Sequence, residues 1–413
     1  MKKLLLLGLT GILASALTLT GCLSAEKGDE DPSQTQPTET EVATEIYQDG
    51  MYRGTHGDRG VQQISIQFHL EDNNISDVSF RYLTYNENDY LQIEEDNPFH
   101  AIKQQHDQII EYLEGKPLDA IYDLHNTENF IDDIDAYTGA TIRGNKVFSA
   151  IKDGLNRGVY VPAGEITRDV KDYEDGVYRG THEDGGVQQI SVQFHLDDNI
   201  ISDVGFRHLA YNENDFLQME EDAPFYAVKE QHEQIIEYLE GKPLEEMYDL
   251  FKTESFIDDI DAFTGATIRG NKVFSAIKDA LNRGLYIPDG DDITRDVKEY
   301  EDGRYRGIHG DGGDQQISIQ FYLEDNIISD VSFRHLAYNE NDYGQMEEDN
   351  PFYAIKQQHD QIIEYLEDKP LDAIYDLHNT ENFIDDIDAF TGATIRGNKV
   401  FSAIKDGLNR GVY

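Results

Sequence analysis

Apolar and polar residues alternate along one early stretch of the chain. Between positions 64 and 70, every second residue is apolar and the residues between them are polar. A period of two is typical of a strand that buries one face. After the turn-like run at 71–74, the alternation continues through Val78, Phe80 and Tyr82. The pattern therefore predicts an antiparallel hairpin.

Two later segments have the period of an α-helix instead. The first begins near Asn97 and stops near Gly115, with one apolar face made by Phe99, Ile102, Ile109, Ile110 and Leu113. The second stops near Gly158, with an apolar face made by Val147, Ala150, Ile151 and Leu155. Because strands come first and helices afterwards, we predict an α+β fold rather than a parallel α/β sheet.

The whole pattern occurs three times. The stretch that begins at Tyr47 returns, with few changes, from Tyr173 and from Tyr300. A period this long exceeds that of solenoid repeats, so each unit is expected to be a complete domain. We predict three tandem copies of a small domain, each with an antiparallel hairpin or sheet packed by amphipathic helices.

The predicted organisation of the 413 residues has seven parts. They are a lipoprotein signal peptide at 1–21, a lipidated cysteine with a disordered acidic tether at 22–46, domain 1 at 47–160, a linker at 161–172, domain 2 at 173–286, a linker at 287–299 and domain 3 at 300–413.

The first residues are typical of a secretory signal peptide. Lys2 and Lys3 precede an apolar run that ends in small residues. Residues 19–22, with the sequence LTGC, resemble the bacterial lipobox, which implies that Cys22 is diacylated. Cys22 is the only cysteine of the chain, so lipidation explains it better than redox work, and a spectator cysteine is the alternative. We expect the protein on the outer face of the cell membrane, held there by its lipid anchor alone.

The charge of the chain limits its partners. Against 82 acidic residues stand 34 basic ones, for a net charge of −48. Nucleic acid and anionic membrane surfaces would be repelled, so neither is an expected partner. Cationic, metal-bearing and uncharged partners stay open, and solvation in a salty or alkaline milieu would explain the charge without any partner.

One motif recurs in each copy shortly before the second helix. The sequence DAYTGATIRGN begins at Asp135, and DAFTGATIRGN begins at Asp261 and at Asp388. A tight turn before a helix start presents free N–H groups and the positive end of the helix dipole, which suit a phosphate. Thr141 could instead simply cap the helix with its hydroxyl.

The order of these features resembles the FMN-binding domain family throughout each copy. That family includes flavin-carrying components of the sodium-pumping NADH:quinone reductase and of the Rnf complex, and flavin-bearing lipoproteins of extracellular electron transfer. The resemblance implies that a flavin transferase joins FMN through its phosphate to the final threonine of the motif. The acceptors would be Thr141, Thr267 and Thr394.

The resemblance also implies roles for the residues around each acceptor. These are the preceding aspartates and the small turn residues, namely Asp135, Asp261, Asp388, Thr138, Gly139, Ala140, Thr264, Gly265, Ala266, Thr391, Gly392 and Ala393. Family members often have Ser or Thr two residues after the acceptor, whereas this chain has Arg143, Arg269 and Arg396. A guanidinium there could strengthen the phosphate contact, and non-covalent FMN or no flavin are the alternatives.

The function that the resemblance implies is electron transfer by up to three FMN groups, rather than catalysis on a specific substrate. Electrons would pass from a membrane quinol-linked donor to extracellular acceptors such as ferric iron or soluble flavins. A non-redox surface lipoprotein for adhesion or signalling, keeping the fold without flavin, is the alternative. A reductase fed by the flavin domains is a third, but no stretch is left over for its catalytic domain.

Other constellations predict no metal and no catalytic residue. The acidic run before the motif lacks the glycine and glutamate of an EF-hand loop. The helix histidines His106, His232 and His359 have no second ligand at metal spacing and are predicted to lie at the edge of the core. No Cys-x-x-Cys-His motif is present, which excludes c-type haem.

Overall fold

The computed structural model describes most of residues 46–413. The residues outside the description are 1–45, 59–60, 86–87, 132–143, 185–186, 212–213, 258–269, 289–294, 296, 312–313, 339–340 and 385–396. Within the described ranges, no helix is both long and apolar enough to cross a membrane.

The fold is mixed, with helices and three antiparallel sheets, and the copies share nearly the same order of elements. Repeat 1 (47–160, with the strand that follows it) contains β1 (Gly50–Asp58), β2 (Val61–Glu71), β3 (Asn74–Tyr85), β4 (Asn88–Asp89), α1 (His100–Leu113), α2 (Gly144–Arg157) and β5 (Val161–Pro162). Repeat 2 (173–286, likewise) contains β6 (Gly176–Asp184), β7 (Val187–Asp197), β8 (Ile200–Tyr211), β9 (Asn214–Asp215), α3 (Tyr226–Leu239), α4 (Gly270–Arg283) and β10 (Ile287–Pro288). Repeat 3 (300–413) contains β11 (Gly303–Asp311), β12 (Asp314–Glu324), β13 (Ile327–Tyr338), β14 (Asn341–Asp342), α5 (Tyr353–Leu366), β15 (Lys369–Pro370) and α6 (Gly397–Arg410).

Each repeat has one sheet and one hydrophobic core of its own. The strand order is β4-β3-β2-β1-β5 in repeat 1 and β10-β6-β7-β8-β9 in repeat 2. In repeat 3 it is β11-β12-β13-β14, with β15 paired to β13. The buried apolar side chains form one separate cluster per repeat. This arrangement is compatible with three tandem domains.

The predicted hairpin is present, and its turn consists of two residues. Asp72 and Asn73 both have positive φ, at 49° and 57°, as the tight turns that join twisted strands require. The alternation in β3 ends earlier than predicted, because Ser65 pairs with Tyr82 while Ile66 pairs with Phe80. The extra residue between the two pairs shifts the register. Leu83, rather than Tyr82, is consequently buried.

Both predicted helices of the repeat are also present, as α1 and α2. A third helical segment was not predicted: a 3-10 stretch that follows α1 and recurs in the other repeats, at Leu118–Asn129, Leu244–Ser255 and, in repeat 3, Leu371–His378 with Thr380–Asn382. Its short, irregular turns lack the 3.6-residue period by which a helix is recognised in a sequence.

The helix after each motif lies directly on the backbone of the first strand. A Cβ atom added to Gly54 in β1 would lie 1.9 Å from the carbonyl oxygen of Ala150 and 2.3 Å from the backbone nitrogen of Gly154 in α2. Only a residue without a side chain permits this approach. The same contact recurs at Gly180 and Gly307.

The segments predicted as linkers carry short edge strands. In 161–172, β5 pairs with the start of β1, with Val161 opposite Met51. In 287–299, β10 pairs with the start of β6 in the same way. Farther along the first segment, Ile166 and Val170 pack against the core of repeat 2. Each of these two sheets therefore includes residues beyond the predicted domain boundary.

The three repeats close into a ring around α2, α4 and α6, which contact one another. The Asn156 side-chain amide donates to the backbone oxygen of Asn409 at 2.7 Å, and that of Asn409 donates to the oxygen of Asn282 at 2.6 Å. The Asn282 amide donates in turn to the oxygen of Asn156. Because the third bond returns to the first helix, the arrangement has approximate threefold symmetry.

Alternating carboxylates and guanidinium groups occupy the centre of this ring. Asp153 is 2.9 Å from the Nε of Arg157 on its own helix and 3.1 Å from a terminal nitrogen of Arg410 in repeat 3. Asp406 is 2.9 Å from Arg410 and 3.4 Å from Arg283 of repeat 2. All these side chains are buried.

The same arginines also hold the backbone of the next repeat. Arg157 donates to the carbonyl oxygen of Thr181 at 3.0 Å, Arg283 donates to that of Ile308, and Arg410 donates to that of Thr55. Burial acts to raise the pKa of Asp153, but Arg157 and Arg410 outweigh it and keep that pKa below its usual value. The centre of the ring is therefore a network of charged pairs.

Replacing Gly180, the glycine at which β6 contacts α4, should push this strand and helix apart. In Gly180→Ala, the new Cβ would lie 2.1 Å from the carbonyl oxygen of Ala276, so we expect the free energy of unfolding to fall by about 1–3 kcal/mol. Urea-induced unfolding would measure it. Gly205→Ala is the matched control, because a Cβ there meets nothing within 4 Å. Equal losses in the two variants would contradict this packing account.

Removing one central guanidinium should destabilise the ring far more than removing a surface one. Arg410→Met leaves Asp153 and Asp406 buried with one cation fewer, so we expect a loss of about 3–5 kcal/mol in the free energy of unfolding. Arg295→Met is the control, because Arg295 pairs with Asp376 at 2.6 Å but its side chain is 47% exposed. A loss above about 1 kcal/mol in the control, or none in Arg410→Met, would refute the expectation.

Candidate functional site

The predicted attachment residues fall outside the described residues. Asp135, Thr138, Gly139, Ala140 and Thr141 lie in 132–143, and their counterparts lie in 258–269 and 385–396. Those counterparts are Asp261, Thr264, Gly265, Ala266, Thr267, Asp388, Thr391, Gly392, Ala393 and Thr394. Arg143, Arg269, Arg396 and the predicted lipidation site Cys22 also lie outside them. The described residues that adjoin the motif define the candidate site.

The helix that follows the motif starts against the 3-10 segment. Gly144 is the first residue of α2, and a Cβ atom there would lie 2.0 Å from the carbonyl oxygen of Leu124. The same tight contact recurs at Gly270 and Gly397. The 3-10 segment thus fixes the position of the helix start in each repeat.

A buried lysine lies in the first turn of the same helix. Lys146 is 6% exposed, and its ammonium donates a hydrogen bond to the side-chain oxygen of Gln63 in β2. The ammonium also lies 5.1 Å from the centre of the Tyr85 ring at the end of β3. Because Gln63 follows the β1–β2 turn, this ammonium brings together the start of α2 and the ends of two strands.

The same group recurs in the other repeats. In repeat 2, Lys272 donates to Gln189 and lies 5.1 Å from the centre of the Tyr211 ring. In repeat 3, Lys399 donates to Gln316. We call Lys146, Gln63 and Tyr85, with these counterparts, the lysine–tyrosine cluster.

The tyrosines of the cluster are open to solvent although the lysines are not. Tyr85 is 40% exposed and Tyr211 is 44% exposed. Large aromatic rings with this exposure, placed beside a buried cation, offer a flat apolar surface and a positive charge at one place. Such a combination suits a planar ligand that carries negative charge.

The starts of α2 and α4 also contact the neighbouring repeat. The Asn145 amide donates to a backbone oxygen of Tyr413 at 2.9 Å, and that of Asn271 donates to the oxygen of Tyr160 at 3.1 Å. Within repeat 3, the guanidinium of Arg306 lies 3.9 Å from the centre of the Tyr413 ring. The candidate sites therefore lie close to the junctions between repeats.

A buried histidine stacks on each of these tyrosines. His56 stacks on Tyr413 with ring centres 5.6 Å apart, and His182 stacks on Tyr160 at 5.8 Å. The Nδ1 of His56 is 3.2 Å from the Ser149 hydroxyl, whereas its Nε2 has no hydrogen-bond partner among the described residues. Within the described part of the chain, the Nε2 of His182 also lacks a hydrogen-bond partner.

The surroundings keep these two histidines neutral. For His56, burial and then the charges of Lys146 and Arg410 hold the pKa well below its usual value. The charge of Arg306 also lowers the pKa of His56, whereas the charge of Asp58 raises it. For His182, burial comes first, followed by Lys272, Arg157, Arg53 and Arg81, which all lower the pKa.

The histidines that were predicted at the core edge are fully inside. His106 is 5% exposed, its Nδ1 lies 2.8 Å from the backbone oxygen of Ile102, and its ring meets Phe80 edge to face. His232 and His359 make the same backbone contact one helical turn back, at 2.7 and 2.8 Å. These side chains serve the packing of the helix on the sheet.

One group of acidic side chains in the described part of the chain has the spacing of a metal site. It consists of Asp153, Asp279 and Asp406 at the centre of the ring. The paired arginines Arg157, Arg283 and Arg410 already bring one positive charge for each carboxylate. These carboxylates lie close together because they pair with arginines that link the repeats to one another.

No protein family, no curated protein and no solved structure matches this chain.

The lysine–tyrosine cluster and the contacts between repeats are not predicted from the sequence. Lys146 lies only five residues after the last threonine of the motif and recurs at the same place in each copy. This recurrence does not distinguish Lys146 from its neighbours in the sequence, because nearly every residue around it recurs as well. The approach of Gln63 and Tyr85 depends on the tertiary fold.

The buried histidines should make stability depend on pH. The pKa of His56 and of His182 is lowered in the folded chain relative to the usual 6.5, so the unfolded chain binds more protons below that pH. The free energy of unfolding should therefore fall as pH drops from about 7.5 to 5, by up to about 1.4 kcal/mol per pH unit for each histidine.

Urea unfolding at several pH values would measure this slope. His182→Gln should reduce it, because glutamine does not titrate. Thr167→Val, which removes no titratable group and lies at an exposed position, serves as the control and should leave the slope as it is. A slope that is the same in the His182 variant and the parent would refute the assignment.

Proposed function

We propose that the protein is a membrane-anchored extracellular flavoprotein with up to three FMN groups, each linked through its phosphate to Thr141, Thr267 or Thr394. It would pass electrons from a membrane quinol-linked donor to extracellular acceptors. A flavin transferase would attach the cofactor. The proposal rests on the resemblance of each copy to FMN-binding domains and on the lysine–tyrosine cluster at the start of the helix that follows the motif in repeats 1 and 2.

The observation that carries the proposal is the chemistry of that cluster. FMN joins a planar aromatic ring system to a phosphate group. Lys146 supplies a buried positive charge, and Tyr85 supplies an exposed aromatic surface within 5.1 Å of it. Both kinds of contact that FMN needs are thus present next to the helix that follows the motif. The residues present fit the cofactor in chemical terms.

The ring of repeats also supports a role in electron transfer. Gly158, just after α2, lies beside the ring of Phe274 in the second turn of α4. The starts of α2 and α4 are therefore about one helix length apart, roughly 20 Å. Because the ring is closed, the same spacing applies around it. Three cofactors held next to these helix starts would remain close to one another.

The flavin supplies the redox chemistry, and the protein's residues orient it and set its surroundings. The net charge of −48 would favour cationic acceptors, ferric iron among them, and would repel anionic ones. A lipid anchor at Cys22 would keep the protein near a donor in the membrane.

In-gel fluorescence tests the attachment directly. The chain would be co-expressed with a flavin transferase, exported and run on a denaturing gel, where only covalently bound flavin stays with the band. We expect each of Thr141→Val, Thr267→Val and Thr394→Val to remove about a third of the fluorescence and the triple variant to remove all of it.

Thr167→Val, at an exposed position outside the motifs, is the matched control and should leave the fluorescence unchanged. A parent chain that shows no flavin fluorescence would refute the proposal. Fluorescence that persists in the triple variant would refute attachment at these threonines.

A further inference from the structure

We propose that the lysine–tyrosine cluster is the surface that holds the flavin ring, with Tyr85 and Tyr211 as stacking platforms and Lys146 and Lys272 as the charges that raise its reduction potential. The inference rests on the proposed function and goes beyond it, because the resemblance concerns the phosphate linkage and assigns no residue to the ring.

The first observation is the exposure of the two tyrosines. Tyr85 and Tyr211 are 40% and 44% exposed. Phe99, Tyr122 and Phe225 have similar exposure, at 38–50%, so the position of the two tyrosines beside a buried lysine is what distinguishes them. Each ends the long strand of its sheet, on the side where the helix after the motif begins. An aromatic ring so placed presents apolar surface that a planar ligand can cover.

The second observation is the burial of the lysines. Lysine is rarely buried, since its charge loses hydration, yet Lys146, Lys272 and Lys399 are only 4–6% exposed. A buried charge acts through a lower effective dielectric than a surface charge and is screened less by salt. Its effect on a ligand beside the tyrosine ring is therefore larger.

Other lysines lie at similar distances from aromatic rings without these properties. Lys242 lies 5.3 Å from the centre of the Tyr238 ring in repeat 2, but Lys242 is exposed and follows α3. The distance between ammonium and ring alone therefore does not distinguish the cluster. The cluster is distinguished by the burial of its lysine and by the position of that lysine in the first turn of the helix that follows the motif.

The expected consequence follows from charge. When a flavin ring takes up more electrons than protons, it gains negative charge, and a nearby fixed cation stabilises that state relative to the oxidised one. Lys272 should thus make the reduced ring bind more tightly than the oxidised ring, which raises the midpoint potential.

The test uses the full chain with one site left. Thr141→Val and Thr394→Val restrict attachment to Thr267, and the chain is produced with a flavin transferase. Into this background are placed Tyr211→Ala, Tyr211→Phe, Lys272→Met, Lys272→Arg and the control Lys242→Met. Covalent flavin is quantified on denaturing gels, flavin fluorescence is compared before and after unfolding, and the midpoint potential is measured by titration with a chemical reductant.

We expect Tyr211→Ala to increase the fluorescence of the folded protein severalfold, because stacking on tyrosine quenches flavin emission, while Tyr211→Phe keeps a stacking ring. Lys272→Met should lower the ratio of reduced to oxidised flavin at a given potential about tenfold, which corresponds to a midpoint potential lower by about 30 mV for a two-electron couple. Lys272→Arg and Lys242→Met should stay close to the background chain.

Two results would overturn the inference. If Tyr211→Ala and Lys272→Met carry flavin but match Lys242→Met in both fluorescence and potential, the cluster does not hold the ring and the proposed function stands. If the background chain itself carries no flavin, the proposed function and this inference fall together. Tyr211 is exposed, so its variants remain informative even where Lys272→Met impairs folding.

Discussion

The arrangement of the three repeats depends on the charged network at the centre of the ring. Arg410 approaches Asp153 of repeat 1 and Asp406 of its own helix, and it holds the backbone oxygen of Thr55. Charged groups are expensive to bury, so this geometry is stable only while each carboxylate has its guanidinium partners. A charge network of this kind is exacting in its geometry and so favours one arrangement of the helices.

The network also explains why α2 is buried on more than one side. Its apolar face rests on the sheet of repeat 1, with Gly54 against the helix backbone. Its polar side carries Ser149, Asp153 and Arg157, which are buried as well. The candidate sites at the helix starts are thereby tied to the centre of the ring, since the same helix carries Lys146 at one end and Arg157 at the other.

Local patterns in the sequence were enough to predict the hairpin and the two helices, because a strand or helix that is buried on one side has apolar residues at a regular spacing. They could not reveal the extra residue that buries Leu83 in place of Tyr82, since a bulge depends on pairing across strands. Ser149, Asp153 and Arg157 lie on the polar side of the helix, and sequence periodicity does not distinguish a side that faces water from one that faces a charged partner in another repeat. The attachment threonine Thr141 and its neighbours keep the status of a prediction.

Repeats 3 and 1 meet although they are not consecutive in the sequence. The same kinds of contact form there nonetheless, from the Asn156 amide to the Asn409 oxygen and from His56 to Tyr413. The linkers at 161–172 and 287–299 therefore do not create the interfaces but raise the effective concentration of one repeat near the next. A circular permutation that starts the chain at repeat 2 or 3 keeps the same three pairs of neighbours, so the contacts that close the ring do not require the chain to begin with repeat 1.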